Sequence, residues 1–273
     1  MTGLLGVIGD PINHSLSPLI HNHWLREFGL PAQYEAMQVL DGELPAALQT
    51  LSAKKAIGLN VTLPHKHAAL AASIVSSDTA KRIGAANTLT LQQNGDWHAD
   101  NTDVPGFITA LKLAGITALN TKSVLILGAG GSARAVLCAL DNQNADIAVM
   151  NRTLERAEDI CRTLTAGRAK AIPSDLSMNE LNRFDIIINT TSLGYSGNHY
   201  DLPDGKDRLF FDISYGKAAA AQLAHAESQN WKTQDGLGML VAQAAESFNI
   251  WFDEMPEIEP MLKRCRAIVE VTQ

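Results

Sequence analysis

Lys66 follows Asn60 and Thr62 in the stretch Gly58 to Leu70, GLNVTLPHKHAAL. A packed strand end seldom presents an amide, a hydroxyl and an amine together. Either these groups satisfy the backbone of a tight connection, or they face something that is not protein. The same mixture recurs along the chain. GDPINHSLSPLIHN places Ser15 and Ser17 on a loop after the first strand, and IGAANTL places Asn87 at the start of a hairpin. DNTD puts Asp103 at the end of that hairpin, and DGLGMLVAQ puts Gln243 on a late helix. Capping and turn chemistry accounts for each alone, Ser17 as an N-cap above all. Their joint placement at the carboxyl ends of strands, where open α/β sheets bind ligands, favours a site. Hydroxyls, amides, one lysine and one aspartate suit a small, polyhydroxylated, carboxylated molecule.

The elements that must position these groups alternate short β-rich runs with helical patterns. That is the pattern of an α/β fold with parallel sheets covered by helices. LLGVIGD reads as a strand, and SPLIHNHWLREFG as a helix with Ser17 at the N-cap, Pro18 first inside and Gly29 at the stop. QYEAMQV, the helix GELPAALQTLSA and AIGLNVT continue the alternation. In NTLTLQQNGDWHADNTD, alternation on both sides of Asn94-Gly95 marks a hairpin with a type I′ turn. The helix VPGFITALKLAG bridges to SVLILGAGGSARAVLCAL, and strands follow at DIAVM, AKAI, DIIINT and LFFDIS. The last two helical runs, GMLVAQAAESFNIWF and PMLKRCRAIVEV, have no strand between them and are expected to pack back on the first domain. The expectation is a two-domain chain flanking a cleft. Residues 1–103 plus 238–273 form a substrate domain, and residues 104–237 a Rossmann-like dinucleotide-binding domain.

In the second region, VLILGAGGSARAVL supplies Gly128-x-Gly130-x-x-Ala133 after an apolar strand and before a helix. The first glycine permits the tight turn, and the second lets the backbone approach a pyrophosphate. Ala133 replaces the third, a change that helix–strand packing tolerates. Free N–H groups at the helix start then face phosphates. An NAD site would place an acid about 20 residues further on, at the end of the next strand. Here IAVMNRTLER offers Asn151, Arg152 and Thr153, with Arg156 one turn later. Guanidiniums where a 2′-phosphate would lie point to NADP.

Taken together, these stretches resemble the shikimate dehydrogenase family. GDPINHSLSPLIHN, GLNVTLPHK, GAANTL, DNTD, GAGGSARA, NRT and DGLGMLVAQAAESF run in family order along nearly the whole chain. The resemblance implies NADP-dependent oxidation of shikimate to 3-dehydroshikimate, run in cells as the reverse reduction within aromatic amino-acid synthesis. It implies that Ser15 and Ser17 hold the substrate carboxylate with Tyr215 contributing, and that Asn60, Thr62, Asn87 and Gln243 bond the ring hydroxyls. Lys66 and Asp103 would flank the reacting carbon–oxygen bond, with either of them carrying the proton. Gly128, Ala129, Gly130, Gly131, Ser132, Asn151, Arg152, Thr153, Arg156, Ile213 and Gly236 would line the cofactor, with Asp78 near its nicotinamide. The chain departs from the family pattern where Lys217 and Ala220 stand at a Pro and a Thr position, and where Tyr195 replaces an aliphatic residue.

Composition narrows the remaining classes. The 273 residues are 46% hydrophobic and 19% charged with a formal charge of −7, an ordinary globular make-up that argues against wrapping nucleic acid. Cys138, Cys161 and Cys265 are far apart and form no CxxC, which fits core thiols in a reducing cytoplasm. The start MTGLLGVIGD has no basic n-region, and no apolar run approaches a membrane span. The histidines of HNH (His21 to His23) and HKH (His65 to His67) are two apart, do not share a helix face and imply no metal. The partner expected is a small-molecule substrate bound by a monomer or homodimer. Two rivals remain in view, an NAD-using quinate/shikimate dehydrogenase and a silent sensor of the same ligands. Retained Lys66 and Asp103 speak against the second.

Overall fold

Two compact α/β units make up the protein, described by a computed structural model over residues 2–141 and 143–272. The first comprises Met1–Asp103 and Val241–Met261, and the second Val104–Leu240 and Leu262–Gln273.

In the first unit the chain runs β1 (Gly3–Gly9), α1 (Ser17–Glu27), β2 (Ala32–Gln38), α2 (Leu44–Ala53) and β3 (Gly58–Val61). It continues through α3 (Lys66–Ala71), β4 (Val75–Ser76), α4 (Asp78–Ile83), β5 (Thr88–Leu91) and β6 (Trp97–Asp100). The six strands form one sheet in the order β2-β1-β3-β5-β6-β4. Only β5 runs against its neighbours, because the β5–β6 hairpin enters beside β3. β1 and β3 are nearly all buried, and Ile8, Leu48, Leu59, Val61, Leu89 and Trp97 share a core on the sheet.

Two local expectations are corrected here. Ser17 is the first residue of α1, not its cap; Leu16 takes the cap position, and Ser15 Oγ accepts from the Ser17 N–H at 3.2 Å. The hairpin turn is not type I′. Gly95 N–H donates to Gln92 O, and Gly95 alone adopts positive φ, +89°, so the loop spans five residues. Asn94 instead engages the Asp96 N–H with its side-chain carbonyl, which holds it out of the left-handed conformation a type I′ turn requires.

The second unit follows α5 (Asp103–Leu113) with β7 (Ser123–Leu127), α6 (Gly131–Asp141), β8 (Asp146–Met150), α7 (Leu154–Thr165) and β9 (Lys170–Ile172). After α8 (Met178–Leu181) come β10 (Ile186–Asn189), a 3-10 turn at Leu193–Ser196, β11 (Leu209–Asp212), α9 (Lys217–Ser228) and β12 (Lys232–Gln234). All six strands are parallel, in the order β12-β11-β10-β7-β8-β9. The chain moves outward from β7 through β8 to β9, then returns to β10 on the other side of β7. This reversal is the topological switch point, at whose carboxyl edge open sheets bind ligands.

The unit boundary divides both C-terminal helices, α10 (Leu237–Phe252) and α11 (Ile258–Thr272). Val241–Phe252 of α10 belongs to the first unit. Most of α11 belongs instead to the second unit, unlike the single returning segment read from sequence. Arg266 grips Asp235 with both nitrogens, at 2.7 and 2.9 Å, and Val269 lies beside Gly216. Among the described residues no helix is long and apolar enough to cross a membrane.

Candidate functional site

In the first unit, β1 and β3 end side by side because Thr62 N–H donates to Ile8 O and Asp10 N–H donates to Leu63 O. Ser15 lies on the loop after one strand end and Thr62 on the loop after the other, both half-buried. Lys66 opens α3 and Asp103 opens α5, and their charged ends meet at 2.6 Å, with side chains only 12% and 8% exposed. Asn87 Nδ2 donates to the second Asp103 oxygen at 2.9 Å and approaches Gln243 Oε1 at 3.3 Å. Four residues from four distant stretches thus form one polar cluster.

Asn60, Ser17 and Asn87 are buried. Tyr34 O–H donates to Asn60 Oδ1 at 2.7 Å, while Asn60 Nδ2 donates to Ser247 Oγ at 2.9 Å and to Asn87 O at 3.2 Å. Burial raises the Tyr34 phenol well above its ordinary pKa, a hydrogen bond with Ser17 opposing it, so the hydroxyl keeps its proton and donates. Tyr34, Thr88, Thr102 and Ser247 were not singled out from sequence. A threonine in a hairpin strand, or a serine inside an apolar helix, carries no distinctive local signal. Asp78 opens α4 with its carboxylate fully in solvent, 4.0 Å from Lys81, and Tyr215 belongs to the second unit. Asp78 does not join this cluster.

His21 sits in a box of rings, stacked on Tyr34 at 4.2 Å with Trp24, Trp251 and Phe248 around it. Neither of its ring nitrogens has a hydrogen-bond partner, and burial lowers its pKa to about 3, so the ring is neutral. His65 donates to Val39 O, and His67 pairs with Gly84 O. Among the described residues, His199, Asp201 and His225 offer ligand atoms within 4.8 Å of one another. The His225 Nε2 lone pair, however, already accepts the Leu202 N–H at 3.1 Å, which leaves the proton on Nδ1 and no nitrogen open to an ion.

In the second unit Gly128 closes β7 at φ +109°, and a Cβ there would meet Thr190 Oγ1. Its N–H donates to Met150 O at 2.7 Å, which fixes the glycine turn beside the end of β8. Nothing lies within 4 Å of where a Cβ on Gly130 would stand, an open cradle ahead of α6, while Ala133 is fully buried against the sheet. Gly131 and Ser132 open the helix, where backbone N–H groups lack intrahelical partners. Asn151 Nδ2 donates to Thr153 O, shaping the turn that carries Arg152 and Arg156. Both guanidiniums are exposed, and among the described residues neither pairs with a carboxylate, whereas Arg134, Arg162 and Arg168 do. Gly236 N–H donates to Ser214 O, and a Cβ on Gly236 would overlap the Ile213 carbonyl, so these two predicted residues are adjacent. Ala129 precedes the cradle. One further device in this unit carries no local sequence signal. Asn189 Nδ2 donates to Asp212 Oδ2 at 2.8 Å, and Asp212 Oδ1 accepts from Ser214 N–H, pinning the carboxyl ends of β10 and β11. Burial pushes the Asp212 carboxyl above its usual pKa.

Known proteins match the chain along nearly its whole length. A family model described as shikimate dehydrogenase substrate binding domain matches residues 7–89. Models described as shikimate / quinate 5-dehydrogenase and shikimate 5'-dehydrogenase C-terminal domain match residues 110–237 and 236–266. A protein of Hyphomonas neptunium named shikimate dehydrogenase (NADP(+)) is 48% identical over 272 residues, covering 100% of both chains. Among solved structures, shikimate dehydrogenase from Aquifex aeolicus superimposes with a TM-score of 0.87 at 35% identity, over 96% of this chain and 97% of that one. Shikimate 5-dehydrogenase from Thermus thermophilus, in complex with NADP(H) and shikimate, gives 0.85 at 33%, over 97% and 99%.

Proposed function

This chain belongs to the shikimate dehydrogenase family, and from that premise we propose that it catalyses reversible NADP-dependent oxidation of shikimate to 3-dehydroshikimate. In cells the reaction runs as the reduction that serves chorismate and aromatic amino-acid synthesis. The observation that carries the reading is the contact of Lys66 Nζ with Asp103 Oδ2 at 2.6 Å, inside a cluster of amides and hydroxyls.

NADP, when bound, supplies a nicotinamide carbon that takes up hydride. The proton is the chain's own task, because hydride leaves carbon only as the hydroxyl gives up its proton. Asp103 engages one N–H of Lys66, leaving two donors for the reacting oxygen. An ammonium there stabilises negative charge as it develops on that oxygen. Asp103 orients the lysine and is itself held by Asn87, so proton transfer falls to this pair. Ser15, Ser17 and Tyr215 bind the carboxylate. Thr62, Asn87 and Gln243 bind ring hydroxyls, and Asn60 contributes the second lone pair of an oxygen already fixed by Tyr34.

The second unit fits the cofactor on three observations. The open cradle at Gly130 admits a pyrophosphate, and Gly128, Ala129, Gly131 and Ser132 bring backbone N–H groups to it. Arg152 and Arg156, without carboxylate partners among the described residues, suit the 2′-phosphate together with Asn151 and Thr153. Ile213, Gly236 and Asp78 line the nicotinamide side. Cys138, Cys161 and Cys265, all buried and none in a disulfide among the described residues, accord with a cytoplasmic enzyme, acting as a monomer or homodimer.

An absorbance assay at the reduced-nicotinamide band, crossing shikimate and quinate with NADP and NAD, tests the reading. Shikimate with NADP is expected to turn over fastest. Equal or faster turnover of quinate with NAD, or no turnover with any pair, overturns it.

A further inference from the structure

We propose that Ser247 is a positioning residue for this reaction, the atom on which the orientation of the substrate-facing amides converges. The inference rests on the shikimate reading above. Ser247 lies in α10, fully buried, on the part of the helix that joins the first sheet. Its Oγ accepts from Asn60 Nδ2 at 2.9 Å and lies 2.8 Å from Thr88 Oγ1 and 3.1 Å from Thr102 Oγ1. With the Thr88 proton given to Asn87 Oδ1, the single Ser247 proton goes to Thr88 Oγ1, and Gln243 O at 3.0 Å, one turn back along its own helix, is its alternative acceptor. Ser247 Oγ thus joins β3, β5, the loop before α5 and α10 through one atom, and Thr88 Oγ1 joins the same four elements with longer contacts to Asn60 Nδ2 and Thr102 Oγ1, both at 3.3 Å.

That convergence matters because an amide works only one way round. Asn87 Oδ1 accepts from Thr102 N–H at 2.8 Å and from Thr88 O–H at 3.0 Å, which turns Nδ2 toward Asp103. Were the amide reversed, its oxygen would face the Asp103 carboxylate, a repulsive contact. Thr88 and Thr102 hold this sense, and both lean on Ser247. Asn60 is set likewise, its oxygen by Tyr34 and its nitrogen by Ser247. Removing one hydroxyl therefore loosens both amides at once. The space it leaves is smaller than a water molecule, so solvent does not replace it. Buried, mutually satisfied hydroxyl networks lose more than one bond when a shared member is removed.

Ser247→Ala is the variant to make, with Thr88→Val as an isosteric second probe of the same network. Both are expected to lower kcat/KM for shikimate by roughly tenfold to hundredfold, with the KM for NADP unchanged and a folded far-UV spectrum. A fall confined to thermal stability, with both shikimate parameters at wild-type values, overturns the proposal, since it would mark Ser247 as packing only. If Ser247→Ala does not fold, Thr88→Val decides by the same criterion. Wild-type protein that neither turns over shikimate nor binds it by calorimetry refutes the underlying reading instead. The two failures are thus separable.

Discussion

Lys66 and Arg152 are the residues at which the proposed chemistry is most exposed to test. Lys66→Ala removes the group proposed to face the developing charge and leaves Asp103 without its cation. Turnover should fall by roughly two to four orders of magnitude, the usual worth of a positioned acid/base group. NADP affinity should hold, because Lys66 belongs to the other unit. Steady-state kinetics with a parallel NADP titration separates the two, and near-normal turnover would remove Lys66 from the mechanism. Arg152 is proposed to meet the one group by which NADP differs from NAD. It is exposed, so solvent screens it, and Arg152→Ala is expected to weaken NADP by roughly tenfold while sparing NAD. Equal weakening of both cofactors would show that the residue holds the loop and does not read the phosphate.

At the scale of elements, α10 and α11 are fastened by contacts that single substitutions can undo. A Cβ on Gly58 would fall on the Trp251 indole, whose Nε1 donates to Leu89 O at 3.2 Å. Gly58→Ala forces β3 and α10 apart, and overpacking of this kind costs about 1–3 kcal/mol. Urea unfolding measures it, and an unchanged midpoint would mean the indole swings aside freely. Arg266 secures α11 through Asp235, whose side chain is 8% exposed. Arg266→Ala leaves that carboxylate short of water, with only the Leu237 N–H on one oxygen, at a cost of about 1–3 kcal/mol. Asp235→Asn with Arg266→Ala should recover part of the loss, because the stranded charge is gone. No recovery in the double variant would place the cost in lost packing of the arginine stem.

For the whole molecule, buried His21 ties stability to pH. Its pKa is about 3 in the folded protein against 6.5 for an unhindered imidazole. The unfolded chain therefore binds the extra proton first as pH falls. Stability is intact above about pH 6.5 and declines toward pH 3, by up to about 1.4 kcal/mol per pH unit from this group. His21→Phe keeps a ring in the aromatic box and abolishes the titration. Urea unfolding at pH 6.5, 5.5 and 4.5 should show a flatter dependence in the variant than in the wild type. Parallel slopes would mean that the ring already reaches water or a partner when charged.

What the sequence alone determined is what local chemistry specifies. Period and punctuation marked the strands and helices, Gly29 ended α1 at φ +65° as a left-handed stop should, and Gly128-x-Gly130 announced the cradle. The pairing of Lys66 with Asp103 was legible too, although 37 residues separate them, because each sits in a motif of the resembling family. Other features depended on partners far along the chain. Ser17 lost its capping role to Ser15 and Leu16 once the loop closed, and Asn94 turned to Asp96. Most of α11 joined the second unit because Asp235 and Gly216 stand there to meet Arg266 and Val269. The hydroxyl network is the clearest case. Ser247 meets Asn60 across 187 residues and Thr88 across 159, and no spacing rule reaches that far. A buried serine in an apolar helix reads as filler until the fold brings its acceptors and donors to one point. Sequence specifies which groups want partners, and tertiary packing alone decides which ones they get.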